Sequence, residues 1–258
     1  MKTPDLFRGF LFSEIFIHFR FCMSFIPYQT ELCNNETNIY IYNVLVQEPV
    51  TAITDILITI IAWRIFFKSK KELTPTISNQ LYRYFFFMIG LATLLGGVFG
   101  HALCYRLGIG WKLPGWITSM FAIMLIERAA IMHVLPQMPK SLHKILPILN
   151  FVELAIMITT AVVTLNFFWV EFHAFYGLGI VVGSFELINY KKTGNPASKW
   201  ILIAVGISLI AAFVQIAKIH INDPWFRAVD FAHVIMCVTS VILYKGVRLI
   251  KIQTIKEL

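Results

Sequence analysis

The chain has 258 residues, of which 58% are hydrophobic and only 14% are charged, and its mean hydropathy is +0.72. This balance is too apolar for an ordinary soluble domain and indicates a protein of the lipid bilayer. The net charge of +8 does not indicate a nucleic-acid partner, because the basic residues are distributed along the chain as in a multi-pass membrane protein.

Within the first 45 residues, the stretch "GFLFSEIFIHFRFCMSF" looks apolar but is interrupted by Glu14, His18 and Arg20. These charges make the segment a poor signal peptide and a poor membrane span. We expect 1–45 to be an extracellular or periplasmic segment. It either lies at the membrane interface or reflects a wrongly assigned start, with Met23 as the true first residue.

Seven apolar windows follow, with Gly, Pro and Asn in the polar breaks between them. A bilayer core about 30 Å thick requires about 20 residues of α-helix. The sequence therefore predicts an all-α, polytopic membrane protein, a seven-transmembrane-helix bundle over 46–248 with a cytoplasmic tail over 249–258. The predicted helices are about 47–67, 83–104, 115–133, 145–165, 168–189, 199–219 and 226–246.

Basic residues collect after the odd-numbered helices and are sparse in the intervening loops. After the first, third, fifth and seventh helices stand Lys68, Lys70, Lys71, Lys140, Lys144, Lys191, Lys192, Lys199, Lys245, Arg248, Lys251 and Lys256. By the positive-inside rule, this pattern predicts a multi-pass protein of the cell membrane with its amino terminus outside and its carboxyl tail in the cytoplasm.

The four cysteines, Cys22, Cys33, Cys104 and Cys237, show no metal-binding spacing. Cys33 and Cys104 would both face the exterior and could form a disulfide, although free buried thiols are the state that we expect. Cys237, in the middle of the last helix, is expected to serve packing.

Ionisable side chains inside membrane helices are rare and are functional candidates by default. Glu48 and Asp55 share one stripe at the start of the first helix, and His101 follows three glycines at the outer end of the second. Asp230 and His233, three residues apart, share a face of the last helix. Because all five lie near the outer ends of their helices, we expect them to meet in the outer half of the bundle.

Two imidazoles and a carboxylate could hold a zinc ion with an open position for water. We therefore predict His101, Asp230 and His233 as metal ligands. Zinc would lower the pKa of the bound water to about 7, and Asp55 or Glu48 could orient that water or act as its general base. The apolar bundle would suit a lipid substrate that enters sideways.

The remaining ionisable groups of the helices are assigned structural roles. Glu127, Arg128, His133 and Glu186 lie toward the cytoplasmic ends, as structural pairs or interface groups. His173 is typical of an ordinary interface residue, and Glu153 is a carboxylate for which the sequence offers no partner.

The motif "EPVTAITD" at 48–55, the glycines before His101 and "DFAHVIM" at 230–236 resemble the CREST superfamily of membrane hydrolases, which includes the alkaline ceramidases and the progestin and adiponectin receptors. The similarity is greatest to an uncharacterised bacterial branch with "EPxTAxTD" and "HxxFxHxDxxHV" patterns. The resemblance implies a buried zinc held by one histidine of the second helix and two of the last, with an Asp and a Ser nearby, and hydrolysis of ceramide amides.

His101 matches the second-helix histidine and His233 the final one. The chain departs from the pattern at Val229, where the other histidine is expected, and at Gly97, where the serine is expected. Asp230 could replace the missing histidine as a carboxylate ligand.

Three functions agree with these observations. The first is a CREST-like metal-dependent hydrolase of a lipid amide or ester with an outward-facing site. The second is a membrane sensor or small-solute or proton carrier in which the same side chains titrate instead of binding metal. The third is a structural membrane protein in which the polar cluster holds helices together.

Overall fold

The structure is a computed structural model that describes residues 37–251. The expectations for the interfacial segment and for a start at Met23 lie outside the described residues. The first described element is a hairpin in which β1, Asn38–Ile41, pairs antiparallel with β2, Val44–Gln47. Its two-residue turn has positive φ at Tyr42 and Asn43, as a type I′ hairpin turn requires. The sequence analysis did not predict this hairpin.

Seven helices of the described chain are long and apolar enough to cross a membrane, which confirms the predicted all-α, seven-helix fold. They are numbered spans 1 to 7 in chain order: Pro49–Glu72, Ile77–Ala102, Ile109–Gln137, Leu142–Thr164, Phe168–Thr193, Pro196–Ile216 and Ala228–Val247.

Several helices extend beyond the predicted apolar windows because their ends are stabilised outside the bilayer core. Span 2 begins at Ile77 rather than near 83, since the Thr76 hydroxyl accepts a hydrogen bond from the Asn79 backbone N–H. Span 1 continues to Glu72, and its last turn carries Lys70 and Lys71, whose charges favour the helix carboxyl end.

Spans 2, 3 and 5 combine several types of helix. Span 2 is α-helical over Ile77–Leu95 and π-helical over Gly96–Ala102, and span 5 is π-helical between its α-helices. In span 3 the α-helix Leu113–Val134 has a 3₁₀ turn at each end, Ile109–Lys112 and Leu135–Gln137. Span 5 consists of the α-helix Phe168–Phe175, the π-helix Tyr176–Val182 and the α-helix Gly183–Thr193. The short α-helix Cys104–Leu107 lies between spans 2 and 3. Such π segments occur frequently at functional sites.

The spans differ in how deeply they lie in the bundle. Span 3 is the most buried, with 61% of its most apolar window inside, whereas span 4 has 17%. Span 3 is therefore central and span 4 peripheral. The largest fully buried side chains of the core include Tyr82, Phe86 and Ile126.

Spans 1 and 2 approach each other closely at a glycine. A Cβ added at Gly97 would lie 2.9 Å from the Asp55 Cβ and 3.2 Å from the Ala52 carbonyl oxygen. Glycine is thus required for this helix contact, and the contact brings the carboxyl end of span 2 onto the start of span 1.

One polar network lies at the opposite end of the bundle from the start of span 1. His133 Nδ1 lies 2.9 and 3.1 Å from the two Glu186 carboxylate oxygens, and the Ser198 hydroxyl donates to Glu186 at 2.6 Å. The Tyr82 hydroxyl donates to the same carboxylate at 3.4 Å. Because every polar atom of Glu186 has a partner, this network joins spans 2, 3, 5 and 6 and leaves nothing free for a ligand.

Gly97→Ala should destabilise the protein by about 1–3 kcal/mol, because the added methyl group overpacks the contact between spans 1 and 2. Gly206→Ala is the matched control: it is also a helix glycine, but an added Cβ meets nothing within 4 Å. Alanine there should be neutral or stabilising by up to about 1 kcal/mol. Thermal unfolding in detergent measures both, and equal midpoints for the two variants would contradict the close approach.

Candidate functional site

Side chains from spans 1, 2 and 7 meet at one end of the bundle. Glu48 directly precedes span 1, and Asp55 lies about 10 Å further along that helix. His101 is in the last turn of span 2, and Asp230 and His233 are in the first two turns of span 7. We call these five residues the three-span cluster.

The Asp55 carboxylate lies between the two imidazole rings. Its Oδ2 is 3.9 Å from His101 Nε2, and its Oδ1 is 3.6 Å from His233 Nε2. Asp55 is 5% exposed, whereas the side chains of His101 and His233 keep 23% and 15% of their surface exposed. The carboxylate is therefore buried, and the rings remain reachable from outside the bundle.

Glu48 holds the ring of His101. His101 Nδ1 lies 2.6 Å from Glu48 Oε2. Burial alone would raise the pKa of Glu48, but hydrogen bonds and positive charge from His101 and Arg227 lower this pKa to about 2. Glu48 is thus a carboxylate at neutral pH and can only accept, so Nδ1 of His101 carries a proton, and in the neutral form of the ring the lone pair of Nε2 faces Asp55.

Thr54 holds the ring of His233 in the same way. The Thr54 hydroxyl lies 3.0 Å from the Thr51 carbonyl oxygen and 3.0 Å from His233 Nδ1. When the hydroxyl donates to the carbonyl oxygen, it can accept from His233 Nδ1, and the lone pair of a neutral His233 Nε2 then also faces Asp55.

Arg227 completes the surroundings of Glu48. Its Nη2 donates to Glu48 Oε1 and lies 3.4 Å from the Thr51 hydroxyl. Both oxygens of Glu48 are consequently engaged, which places it to orient His101 rather than to take a proton from water. Glu48 also has left-handed backbone angles, φ 40° and ψ 53°, a strained conformation for a residue other than glycine.

Asp230 is placed differently from the prediction. Its Oδ2 accepts a hydrogen bond of 2.7 Å from the Arg227 backbone N–H, as a cap for span 7. The predicted ligand set of His101, Asp230 and His233 does not bring its ligand atoms within 4.8 Å of one another in the described chain. Asp55, and not Asp230, is the carboxylate between the histidines. Asp230 Oδ1 remains buried without a hydrogen-bond partner.

A second group, which the sequence analysis did not predict as a site, joins Glu127 of span 3, Glu153 of span 4 and His173 of span 5. We call it the mid-bundle group. Its ligand atoms lie within 4.8 Å of one another, and the group could hold a metal ion. Glu153, for which no partner was predicted, lies 2.7 Å from His173 Nδ1. His173 is fully buried, so its assignment as an interface residue was wrong.

The cysteines near the three-span cluster also differ from expectation. Cys104, three residues after His101, is disulfide-bonded, so the expectation of a free thiol was wrong for this residue. The partner considered above, Cys33, lies outside the described residues. Cys237 is free and buried, as predicted.

The fold and the cluster together define a seven-helix bundle of membrane type with histidines and carboxylates buried at one end. The model of a family of unknown function (DUF6962) matches residues 50–252, and the chain belongs to this family. The matched region includes all seven spans apart from Pro49, the first residue of span 1, and the three-span cluster apart from Glu48. No curated protein and no solved structure matches the chain.

Replacing Glu48 by Gln should lower the free energy of unfolding by about 3 kcal/mol, because Arg227 then loses the partner of a mostly buried ion pair. Asp223→Asn is the control, since Asp223 is largely exposed and its contact with His220 is long, 3.8 Å. Thermal unfolding in detergent should separate the two variants clearly. A Glu48→Gln protein as stable as the control would show that this ion pair does not stabilise the fold.

Proposed function

We propose that the protein is an integral membrane, metal-dependent hydrolase, similar to the CREST superfamily, that cleaves a lipid amide or ester at the three-span cluster. One observation carries this proposal. The Nε2 atoms of His101 and His233 lie 3.9 and 3.6 Å from the two carboxylate oxygens of the buried Asp55, and unprotonated groups placed in this way repel one another unless a metal ion or protons lie among them.

Imidazole nitrogens and a carboxylate are ligand types that zinc takes. The Asp55–His101 and Asp55–His233 separations are 3.9 and 3.6 Å and involve different oxygens of Asp55. The three residues are not among the described groups whose ligand atoms all lie within 4.8 Å of one another, so zinc binding would have to draw the two rings closer. Metal-binding histidines usually donate the other ring N–H to an orienting group, and Glu48 and Thr54 accept those bonds here. Three protein ligands would leave room for a water, as catalytic zinc sites require.

Held by Asp55, His101 and His233, a zinc ion would provide a nucleophile at neutral pH, because it would lower the pKa of a bound water to about 7. Among the described groups of the cluster, Asp230 Oδ1 is a buried carboxylate oxygen without a hydrogen-bond partner. We assign to Asp230 the transfer of the proton between water and leaving group. Glu48 holds the His101 ring.

The surroundings of the cluster favour a lipid substrate. Exposed apolar side chains stand on the same helices as the cluster residues, including Ile53 at 64%, Ile56 at 38% and Val234 at 38% exposure. Acyl chains in the bilayer would pack against these side chains, while the scissile amide or ester, at the interface, would reach the partly exposed histidines.

Two independent features support a site on the extracytoplasmic side of the cell membrane. The basic residues after spans 1, 3, 5 and 7 lie at the end of the bundle opposite the cluster. The disulfide at Cys104 lies at the cluster end, and disulfides persist outside the reducing cytoplasm. The proposed orientation therefore has the amino terminus outside and the carboxyl tail in the cytoplasm.

The competing function, a sensor or proton carrier, would place protons rather than a metal between Asp55 and the histidines. Metal content separates the two. The purified protein should contain an equivalent of zinc that is lost in His101→Ala and in His233→Ala. The matched control His220→Ala replaces a histidine at the same end of the bundle whose side chain is 37% exposed, and it should keep the metal.

Asp230→Asn should retain zinc and lower kcat for a lipid amide or ester by about 10²–10⁴-fold, the range for loss of a general acid–base group. A panel of amide- and ester-linked lipids in detergent micelles supplies the assay. Zinc content that is unchanged in both cluster histidine variants, or a protein free of metal under every preparation, would refute the proposed hydrolase.

A further inference from the structure

The mid-bundle group lies in spans 3, 4 and 5 and shares no residue with the three-span cluster. We propose that it is a second metal site, which binds a divalent transition-metal ion through Glu127, Glu153 and His173. This inference does not rest on the proposed hydrolase activity. A site of one imidazole and two carboxylates suits Zn²⁺ or Mn²⁺ better than Ca²⁺, which prefers oxygen ligands alone.

The hydrogen bonds of His173 direct one ring nitrogen toward the carboxylates. Its Nε2 lies 3.1 Å from the Met120 carbonyl oxygen, which can only accept, so Nε2 carries a proton. The bond from one ring nitrogen to a backbone carbonyl is the arrangement that orients metal-binding histidines. Nδ1 then faces Glu153 Oε1 at 2.7 Å, a contact that needs either a second proton or a cation.

The two carboxylates have oxygens without partners. Glu127 is 1% exposed, and its Oε2 accepts a hydrogen bond of 2.5 Å from Asn150 Nδ2. Its Oε1 and Glu153 Oε2 are buried and have no hydrogen-bond partner. An unpaired buried carboxylate oxygen is costly, and two of them beside one imidazole nitrogen offer a bound cation three ligands.

The neighbouring arginine does not supply that charge through a direct contact. Arg128 Nε donates to Asn150 Oδ1 at 3.1 Å, and its Nη2 donates to the Pro147 carbonyl oxygen at 2.7 Å. Arg128 therefore fixes the side chain of Asn150, which in turn holds Glu127. These bonds give the carboxylate a rigid support and leave Glu127 Oε1 free.

A cavity of about 130 Å³ adjoins the group and is lined by Glu127, Asn150, Glu153 and Tyr176. This volume exceeds what a single water requires, so the cavity has room for a cation with some of its water. Its lining also includes Leu146 of span 4, about 10 Å along that helix from Glu153.

Backbone geometry keeps this space open. The π segment of span 5, Tyr176–Val182, begins three residues after His173. A Cβ added at Gly177 would lie 2.7 Å from Glu127 Oε1 and 2.4 Å from Ile123 Cγ2. Only glycine fits here, because a side chain would press on the unpartnered oxygen.

The test uses the full chain with His101→Ala and His233→Ala, two substitutions that remove the proposed metal site of the three-span cluster. The protein is purified in detergent, stripped of metal with a chelator and titrated with Zn²⁺ by calorimetry. This protein should bind one equivalent of Zn²⁺. Adding Glu127→Gln should weaken that binding by at least about tenfold, the lower range for loss of a supporting group at a metal site. Glu153→Gln is a second variant in case Glu127→Gln does not fold.

Glu171→Gln is the matched control, because it makes the same chemical change, glutamate to glutamine, outside the mid-bundle group. Glu171 is exposed and lies in span 5, two residues before His173. It should leave Zn²⁺ binding unchanged. The inference is overturned if the double histidine variant takes up no Zn²⁺ and no Mn²⁺, or if its binding is indifferent to both Glu127→Gln and Glu153→Gln. Zinc that is lost entirely with His101 and His233 would overturn this second site and leave the proposed hydrolase intact.

Discussion

An ionisable side chain buried among apolar helices must find its partner on another part of the chain, and this constraint organises the whole bundle. Three histidines have such a partner, and in each case the Nδ1 atom of the histidine lies against a glutamate carboxylate. The distances are 2.6 Å at the end that holds the three-span cluster, 2.7 Å in the middle and 2.9 Å at the opposite end. The three pairs are His101–Glu48, His173–Glu153 and His133–Glu186. Each joins two separate segments, so together they fix how the spans are arranged.

What distinguishes the three pairs is the second ring nitrogen. His133 Nε2 lies 3.4 Å from the amide nitrogen of Asn195, in a network that has no free atoms. His173 Nε2 donates to a backbone carbonyl, and the free capacity lies instead on the neighbouring carboxylates. His101 Nε2 directs its lone pair at Asp55. The histidine–glutamate pair therefore only stabilises the fold at His133, whereas at His173 and at His101 it leaves neighbouring groups available for a ligand. A histidine pair alone does not indicate function; the unsatisfied atoms around it do.

The sequence could predict the spans and the level of the three-span cluster, but not its detailed contacts. Composition and alternating loop charge are enough to place Asp55, His101 and His233 near one end of the bundle. Which carboxylate lies between the rings of His101 and His233 depends on side-chain rotamers. Asp230 does not lie there, because its carboxylate accepts a hydrogen bond from the Arg227 backbone N–H at the start of span 7. The contact of Glu153 with His173 depends on how spans 4 and 5 are shifted along each other. The spacing of apolar residues in the sequence does not determine this shift. The hairpin before span 1 has strands of four residues, too short for a clear alternation.

The two π segments explain why both candidate sites coincide with breaks in regular helix. A π turn adds a residue without ending the helix, which rotates the following side chains relative to those before it. In span 2 this segment contains His101 and in span 5 it follows His173. Glycines in these segments allow a neighbouring span to approach closely, since Gly97 lies against Asp55 and Gly177 against Glu127. In each case the glycine lies in the π segment and the carboxylate that it approaches belongs to a different span. A regular helix with larger residues would separate the histidine from that carboxylate, so the irregular backbone is a condition for either group to assemble.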